Sequence, residues 1–290
     1  MLYWPPMPIL ARNVLSLPDF VKQVLSIRDG WQRENDEEEY EAKKRGDDSH
    51  DAPLQMWFRG QANARWKLVP SLYRMRQSNE NELRTEFKLR AFQLMPEGHV
   101  PKDDKEWYFL MQHFGTPTRL LDWTDGALIA LYFAVKAQKK IKNAAVWMLD
   151  PEWLNAEVLK EVDPDNYMSG VLLPDWREVS DWFPIPFEQP LHVVLPIAVD
   201  PPHVARRVSV QRSRFTIHGR SKRGLDVLAQ GLPNTRLVKL VIPNKVGKDI
   251  LRNLSTCGIV ETSVFPDLEG LSRELETKWT QINPKVGTKH

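Results

Sequence analysis

Two segments of the chain place charged side chains directly beside large aromatic and aliphatic ones. Residues 57–72 read WFRGQANARWKLVPSL, and residues 111–134 read MQHFGTPTRLLDWTDGALIALYFA. Charged groups are seldom buried among apolar side chains unless hydrogen-bonding or ionic partners compensate them. We therefore expect the two segments to come together and to form one polar pocket inside an apolar domain.

The composition limits the class of protein. With 290 residues, of which 42% are hydrophobic, the chain can bury the core of one large domain or two small ones. Its formal net charge of +2 neither requires nor excludes a nucleic-acid partner. Cys257 is the single cysteine, which excludes an internal disulfide framework and a cysteine-based metal site, and we expect it to be buried. The apolar residues 1–15 are too short for a membrane span and lack the basic start of a signal peptide, so we expect a cytoplasmic protein without membrane contact.

Hydrophobic periodicity predicts helices and strands that alternate irregularly along the chain. After a capped helix that begins at Ser16, helices are expected at 80–95, 107–114, 127–137, 248–257 and 268–279. Strands are expected at 56–60, 144–149, 191–199, 215–218, 237–242 and 260–265. This irregular order favours an α+β fold, a mixed sheet with flanking helices, over a doubly wound parallel sheet.

The chain divides into three parts by composition. We expect an N-terminal helical segment at residues 1–50, a main domain at 51–282 and a flexible tail at 283–290. Within the main domain, residues 151–190 are rich in Pro, Asp and Trp and have poor periodicity. They are predicted to form an irregular insertion, which is often a lid or a binding loop.

The common nucleotide-hydrolase and metal motifs are missing from the sequence. It contains no GxxxxGK[ST] phosphate loop, no GxGxxG and no GxSxG, and its seven histidines do not form an HExxH motif. We therefore expect no bound metal.

A family resemblance rests on two blocks. The first is Phe58-Arg59-Gly60-Gln61, and the second runs from Gln112 to Thr124 and reads QHFGTPTRLLDWT. Both resemble the FRG domain, which is named after its Phe-Arg-Gly motif. Shorter similarities at residues 210–218 and 265–271 extend the resemblance over about residues 17–276. The resemblance implies a family found widely in bacteria, sometimes beside defence genes.

A second resemblance, to the ADP-ribosyltransferases, suggests a reaction. Those enzymes carry an Arg at the end of an early strand, a polar strand followed by an Ala-rich helix, and a Glu on a late strand. Arg59 and residues 122–134 follow that order here. Gln211 lies about where the Glu is expected, and Glu269 or Asp267 could supply a later carboxylate. The resemblance implies an ADP-ribosyltransferase-like core with NAD as substrate, in a toxin or an anti-phage defence effector.

The candidate residues follow from the chemistry of that reaction. Cleavage of the nicotinamide bond builds positive charge on the ribose, which a carboxylate stabilises, and an Arg fork suits a pyrophosphate. An aromatic face such as that of Phe215 or Trp123 could stack on nicotinamide. The candidate catalytic residues are Arg59, His113, Asp122, Thr124 and Glu269. The candidate NAD-binding residues are Arg59, Gln61, Thr118, Arg119, Trp123, Gln211 and Phe215.

Each of these residues also has a possible structural role. Arg59 could form a buried ion pair with Asp122, His113 could be a cation at a helix C-terminus, and Asp122 could cap a helix. Arg119 lies beside two leucines and must have a carboxylate, a phosphate or several carbonyls as partners. Glu269 could interact with the dipole of the last helix.

Three functions therefore stay open. The first is an NAD-dependent ADP-ribosyltransferase-like enzyme that modifies nucleic acid or protein. The second is a binding module for nucleotides or nucleic acid without turnover, which Gln211 and the basic residues within 206–223 favour. The third is a metal-independent nuclease with His113 and Asp122 as its acid/base pair. The sequence leaves the oligomeric state open.

Overall fold

A mixed seven-stranded sheet lies at the centre of the part of the chain that the structure describes. The structure is a computed structural model, and it describes residues 8–46, 54–76, 79–95, 100–138, 142–162, 170–173, 179–183, 192–200 and 213–282. The strands are β1 (Leu10–Asn13), β2 (Trp57–Gln61), β3 (Leu120–Thr124), β4 (Ala144–Leu149), β5 (Ile197–Val199), β6 (Ser213–Ile217) and β7 (Leu237–Ile242), in the spatial order β1-β7-β4-β2-β3-β6-β5. Strand β1 runs parallel to β7, and the other neighbouring strands are antiparallel. The prediction of an α+β fold with a mixed sheet is confirmed.

Helices cover both faces of this sheet. They are α1 (Leu17–Lys44), α2 (Glu80–Ala91), α3 (Asp104–His113), α4 (Ala127–Lys136), α5 (Pro151–Val162), α6 (Leu225–Leu228), α7 (Asn244–Thr256), α8 (Glu261–Val264) and α9 (Leu268–Ile282). Helix α1 begins as predicted, because the Ser16 hydroxyl accepts a hydrogen bond from the Asp19 amide at 3.2 Å. Within the described residues, no helix is both long and apolar enough to cross a membrane.

The alternation of side chains along β4 shows how the two faces are packed. Val146 and Met148 belong to a core formed with α1, α4 and α7, whereas Trp147 and Leu149 belong to a second core formed with α3 and α5. Successive residues of a strand point to opposite faces, so a strand covered on both sides is apolar throughout. All six residues of β4 are buried.

The insertion predicted at residues 151–190 was wrong over its first part, where α5 is a regular helix. Asp150 caps α5 by accepting hydrogen bonds from the amides of Glu152 and Trp153, each at 3.0 Å. The same carboxylate pairs with Arg236 at 2.9 Å, which fixes the start of the helix against the start of β7. Within the rest of the insertion, the structure describes residues 170–173 and 179–183.

Three further expectations differ from the structure. Residues 260–265 were expected as a strand, but α8 lies there, because the Val260 amide and carbonyl both bond to the Ser263 hydroxyl at 2.8 Å and close a helical turn. The strand expected at 191–199 forms only from Ile197 onward, and the described residues 192–196 before it are not in a strand. Cys257 follows the end of α7 and is exposed.

The N-terminal segment also joins the sheet. Residues 1–50 were expected to be helical, and α1 lies there, but β1 precedes it and pairs with β7 over four residues. The tail at 283–290 lies outside the described residues.

Candidate functional site

The sheet is interrupted at its centre, between β2 and β3. In the described strands, β2 pairs with β4 over five positions, but with β3 only where Phe58 faces Thr124. Beyond that position β2 and β3 are not paired. The Arg59 side chain of β2 spans the gap between them, and its Nη1 donates a hydrogen bond to the backbone oxygen of Asp122 on β3 at 2.5 Å. The gap exposes strand residues that would otherwise be covered by a neighbouring strand.

A cavity of about 990 Å³ opens at this gap. Five cationic side chains line it, together with one carboxylate among its described residues: Arg59, Arg65, Lys67, Arg74, Lys222 and Asp122. Aromatic residues line much of the rest of the cavity: Phe58, Trp66, Tyr73, Trp123, Phe133 and Phe265, of which Phe58 and Trp123 are almost fully buried in the two cores. This lining favours an anion that also carries an apolar or flat group.

Arg59 is the most deeply placed of these cations. Its side chain is 22% exposed, and its Nη1 lies 3.6 Å from Oδ2 of Asp122. Its Nε is buried and has no hydrogen-bond partner among the described residues. Burial lowers the pKa of Arg59, Asp122 raises it, and the nearby Arg74 lowers it further. The positive charge of the Arg59 guanidinium is therefore only partly balanced by Asp122, which makes the group under-compensated. An anion in the cavity would stabilise this charge.

Asp122 is positioned by a side chain that the sequence did not single out as a site residue. Both carboxylate oxygens of Asp122 accept hydrogen bonds from Nε2 of Gln112 at 2.9 Å, and Oε1 of Gln112 accepts one from the Thr118 hydroxyl. The Asp122 side chain is still 54% exposed. Gln112 and Thr118 thus hold the carboxylate at the cavity without lining it.

Arg119 lies in the interior, away from the cavity lining. Its side chain is 2% exposed. Its Nε donates to both carboxylate oxygens of Glu80 at 2.9 and 2.8 Å, and its two Nη atoms donate to the carbonyls of His218 and Trp182 at 2.6 and 2.8 Å. All these partners of Arg119 belong to the protein itself, so its buried charge is balanced without a ligand. Arg119 therefore has a structural role.

The other candidate residues also lie outside the cavity lining. Phe215 is buried against Phe109, with ring centroids 5.3 Å apart. The His113 ring contacts Phe114, with centroids 5.0 Å apart. Glu269 is on α9, with 76% of its side chain exposed and an oxygen 3.6 Å from Arg273. Gln211 lies outside the described residues. The structure thus brings five candidates together at the cavity: Arg59, Gln61, Asp122, Trp123 and Thr124.

A buried histidine lies close to the arginines beneath this site. His218 is fully buried, and neither ring nitrogen has a hydrogen-bond partner among the described residues. Burial lowers the pKa of His218 to about 3, and the charges of Arg119 and Arg59 act in the same direction. The imidazole is therefore neutral at physiological pH.

Several lining residues were not identified from the sequence. Arg65, Trp66 and Lys67 belong to the first charged and aromatic segment, so that pattern contained a signal for them. Lys222 is one of the basic residues within 206–223 noted in the sequence. Only the pairing of β3 with β6 brings it near the cavity. Phe265 reaches the wall from the turn after α8; it begins the family-like block at 265–271, from which only Glu269 was taken as a site candidate.

The described residues contain no cluster of three or more His, Cys, Asp or Glu side chains arranged to hold a metal ion.

Comparison with known families supports the resemblance found in the sequence. The model of the FRG domain matches residues 54–143. The chain contains an FRG domain. The matched range includes β2, β3 and α4, and so both sides of the gap. No curated protein and no solved structure matches the chain.

Proposed function

We propose that this FRG domain binds a phosphate-bearing nucleotide in the cavity between β2 and β3, with NAD as the first ligand to test. The under-compensated guanidinium of Arg59 is the observation that carries the proposal. It lies among four further cations and beside one carboxylate, Asp122. A guanidinium forms two parallel hydrogen bonds to a phosphate, and a partly dehydrated site strengthens them.

The aromatic wall supports a ligand with a flat ring. Phe265 packs edge-on against Phe133, with ring centroids 5.6 Å apart. Trp66 offers the more accessible ring, since 54% of it is exposed, whereas Trp123 is buried and its indole nitrogen donates to the Thr216 hydroxyl at 3.1 Å. The cavity volume of about 990 Å³ is at the upper end of the range for small-molecule sites, which suits a dinucleotide.

Binding can be tested by calorimetry and by thermal unfolding with NAD, ADP-ribose, AMP and pyrophosphate, and with adenosine as an uncharged comparison. We expect the phosphate-bearing ligands to raise the melting temperature and adenosine to have little effect. Arg59→Lys keeps the charge but loses the fork, and Arg74→Gln removes a charge at the cavity. Each should weaken binding by roughly tenfold, as the loss of a charged hydrogen bond of about 1.5 kcal/mol predicts.

A matched control is available on α7. Arg252 is 75% exposed and pairs with Asp249 away from the cavity, so Arg252→Gln should leave the affinity unchanged. If none of the phosphate-bearing ligands binds to the wild-type protein, the proposal is wrong. If Arg252→Gln weakens binding as much as Arg74→Gln does, binding reflects the overall charge and not this site.

ADP-ribosyl transfer is the second candidate function, and the position of Asp122 favours it. In that reaction the bond between nicotinamide and the ribose carbon breaks, nicotinamide leaves with the bonding electrons, and a target nucleophile bonds to the carbon and loses its proton. A carboxylate beside the carbon stabilises the positive charge that develops there. Asp122 is the carboxylate of the described lining, whereas Glu269 lies elsewhere. A transferase of this kind, modifying protein or nucleic acid, would suit a toxin or a defence effector.

Mass spectrometry of nicotinamide separates binding from transfer. If the domain is a transferase, the wild-type protein releases nicotinamide from NAD, and Asp122→Asn binds NAD but releases none. If the protein binds NAD but releases no nicotinamide, the domain is a binding module and not a transferase. His113 does not line the cavity, so the described geometry gives no support to the nuclease hypothesis.

A further inference from the structure

Two chain segments form one surface at the mouth of the cavity, which we call the basic rim: residues 65–76 and 219–224. The Tyr73 hydroxyl donates to the carbonyl of Gly219, and the Leu225 amide donates to the carbonyl of Leu68 at 2.9 Å. Burial raises the pKa of Tyr73 to about 12, so this hydroxyl keeps its proton. These bonds fix the two segments beside each other although they are far apart in the sequence.

The basic rim carries positive charge without acidic residues. Its sequences, RWKLVPSLYRMR and GRSKRG, contain seven Lys and Arg residues and no Asp or Glu. All seven are exposed: Arg65, Lys67, Arg74, Arg76, Arg220, Lys222 and Arg223. Asp226, which follows in the chain, is buried and is held by the Leu68 amide at 2.9 Å and by Lys67 at 3.3 Å. The chain as a whole has a net charge of +2, so this surface concentrates its positive charge.

Trp66 projects from the middle of this charge. It lies between Arg65 and Lys67, and 54% of it is exposed. Its backbone is held in a turn, because the Trp66 amide donates to the Asn63 carbonyl at 3.0 Å and the Arg65 amide donates to the Asn63 side chain at 3.1 Å. An indole fixed among cations offers a stacking surface for a base whose phosphates are bound on either side.

We infer that the basic rim binds single-stranded nucleic acid. The cations bind the phosphate backbone, Trp66 stacks on an unpaired base, and the strand end enters the cavity through Arg74 and Lys222. A duplex does not expose the base faces that Trp66 requires, which favours a single strand. The placement of the strand end rests on the proposed nucleotide site, whereas binding to the rim does not.

Fluorescence anisotropy with labelled single strands of about twenty nucleotides, longer than the roughly 4–16 nucleotides that one single-strand-binding domain covers, tests this inference. Oligouridine and oligodeoxythymidine compare RNA with DNA, and a duplex of equal length serves as competitor. We expect log K to fall linearly with log salt, with a slope of about −0.7 per phosphate contact. Trp66→Ala should weaken binding by about tenfold, and Lys222→Gln with Arg223→Gln should reduce the salt slope.

Two variants of matched type are available outside the rim. Trp279→Ala removes a tryptophan that is 59% exposed on α9, and Lys245→Gln with Lys248→Gln removes two exposed cations from α7. Both should bind strands as the wild type does, and thermal unfolding shows whether each variant is folded.

The inference is overturned if single strands do not bind, if the duplex binds as tightly as they do, or if Trp66→Ala and Trp279→Ala have equal effects. Its failure can be told apart from that of the proposed function. If NAD or AMP raises the melting temperature but single strands do not bind, the inference about the basic rim is wrong and the proposed nucleotide site stands. Strand binding that depends on Trp66, without binding of NAD, ADP-ribose, AMP or pyrophosphate, supports the rim and overturns the nucleotide site.

Discussion

Replacing Gly60 with alanine tests the packing on which the cavity depends. A Cβ atom at this position would lie 2.0 Å from the carbonyl oxygen of Ala130 and 2.8 Å from the amide nitrogen of Ala134. Both atoms belong to the backbone of α4, so no side chain can rotate away. Because carbon–oxygen contacts are normally about 3.3 Å, α4 would have to move by roughly 1 Å from β2. Overpacking costs about 1–3 kcal/mol, and a contact between backbones should reach about 3 kcal/mol.

The assay is urea unfolding together with thermal unfolding of the purified protein. A loss of about 3 kcal/mol should lower the melting temperature by roughly 6–12 °C in a chain of this size. Gly30→Ala provides the comparison, because Gly30 lies within α1 and an added Cβ there meets nothing within 4 Å. Alanine should stabilise that helix by about 0.5–1 kcal/mol. If Gly60→Ala has the same unfolding midpoints as the wild type, or if the midpoints of both variants change in the same direction, the steric reasoning is wrong.

Three other predictions follow from buried groups and from the cavity wall. Arg119→Met should destabilise the protein by about 3 kcal/mol in urea unfolding, because it leaves the Glu80 carboxylate without its cationic partner and two carbonyls without their donor. The pKa of His218 falls from 6.5 to about 3 on folding, so between these pH values the unfolded chain binds a proton that the folded protein does not. The free energy of unfolding therefore decreases as pH falls through this range. His218→Leu lacks this group, and its stability should depend less on pH there. Phe265→Leu should weaken AMP binding by roughly tenfold in calorimetry and leave pyrophosphate binding unchanged, since only AMP carries a ring to stack.

The main architecture could be predicted from the sequence because its central elements are strongly patterned. Strand β4 is a continuous apolar run and was predicted at its observed bounds, and the cap at Ser16 located the start of α1 but not its end. Residues 260–265 were misassigned because a short apolar run does not distinguish a strand from one turn of helix. Strand β1 was missed because its four residues form a partly exposed edge without a distinct pattern.

The site was predictable only in part, for a related reason. Arg59 and Arg119 look alike in the sequence, since each lies beside large apolar residues. What separates them is Glu80, which is 39 residues from Arg119 and compensates its charge, whereas the carboxylate found beside Arg59 among the described residues is the partly exposed Asp122. Which carboxylate lies next to which arginine depends on tertiary packing that local sequence does not encode.

The interrupted pairing between β2 and β3 makes the sheet two half-sheets, β1-β7-β4-β2 and β3-β6-β5, that share one backbone pairing at Phe58 and Thr124. Local opening needs little free energy where backbone hydrogen bonds are few. We expect amide hydrogens along the inner edges of β2 and β3 to exchange faster than those between β2 and β4. A ligand that contacts Arg59 on one edge and Asp122 on the other would connect the half-sheets. Its binding should therefore slow hydrogen exchange on both sides of the gap at once.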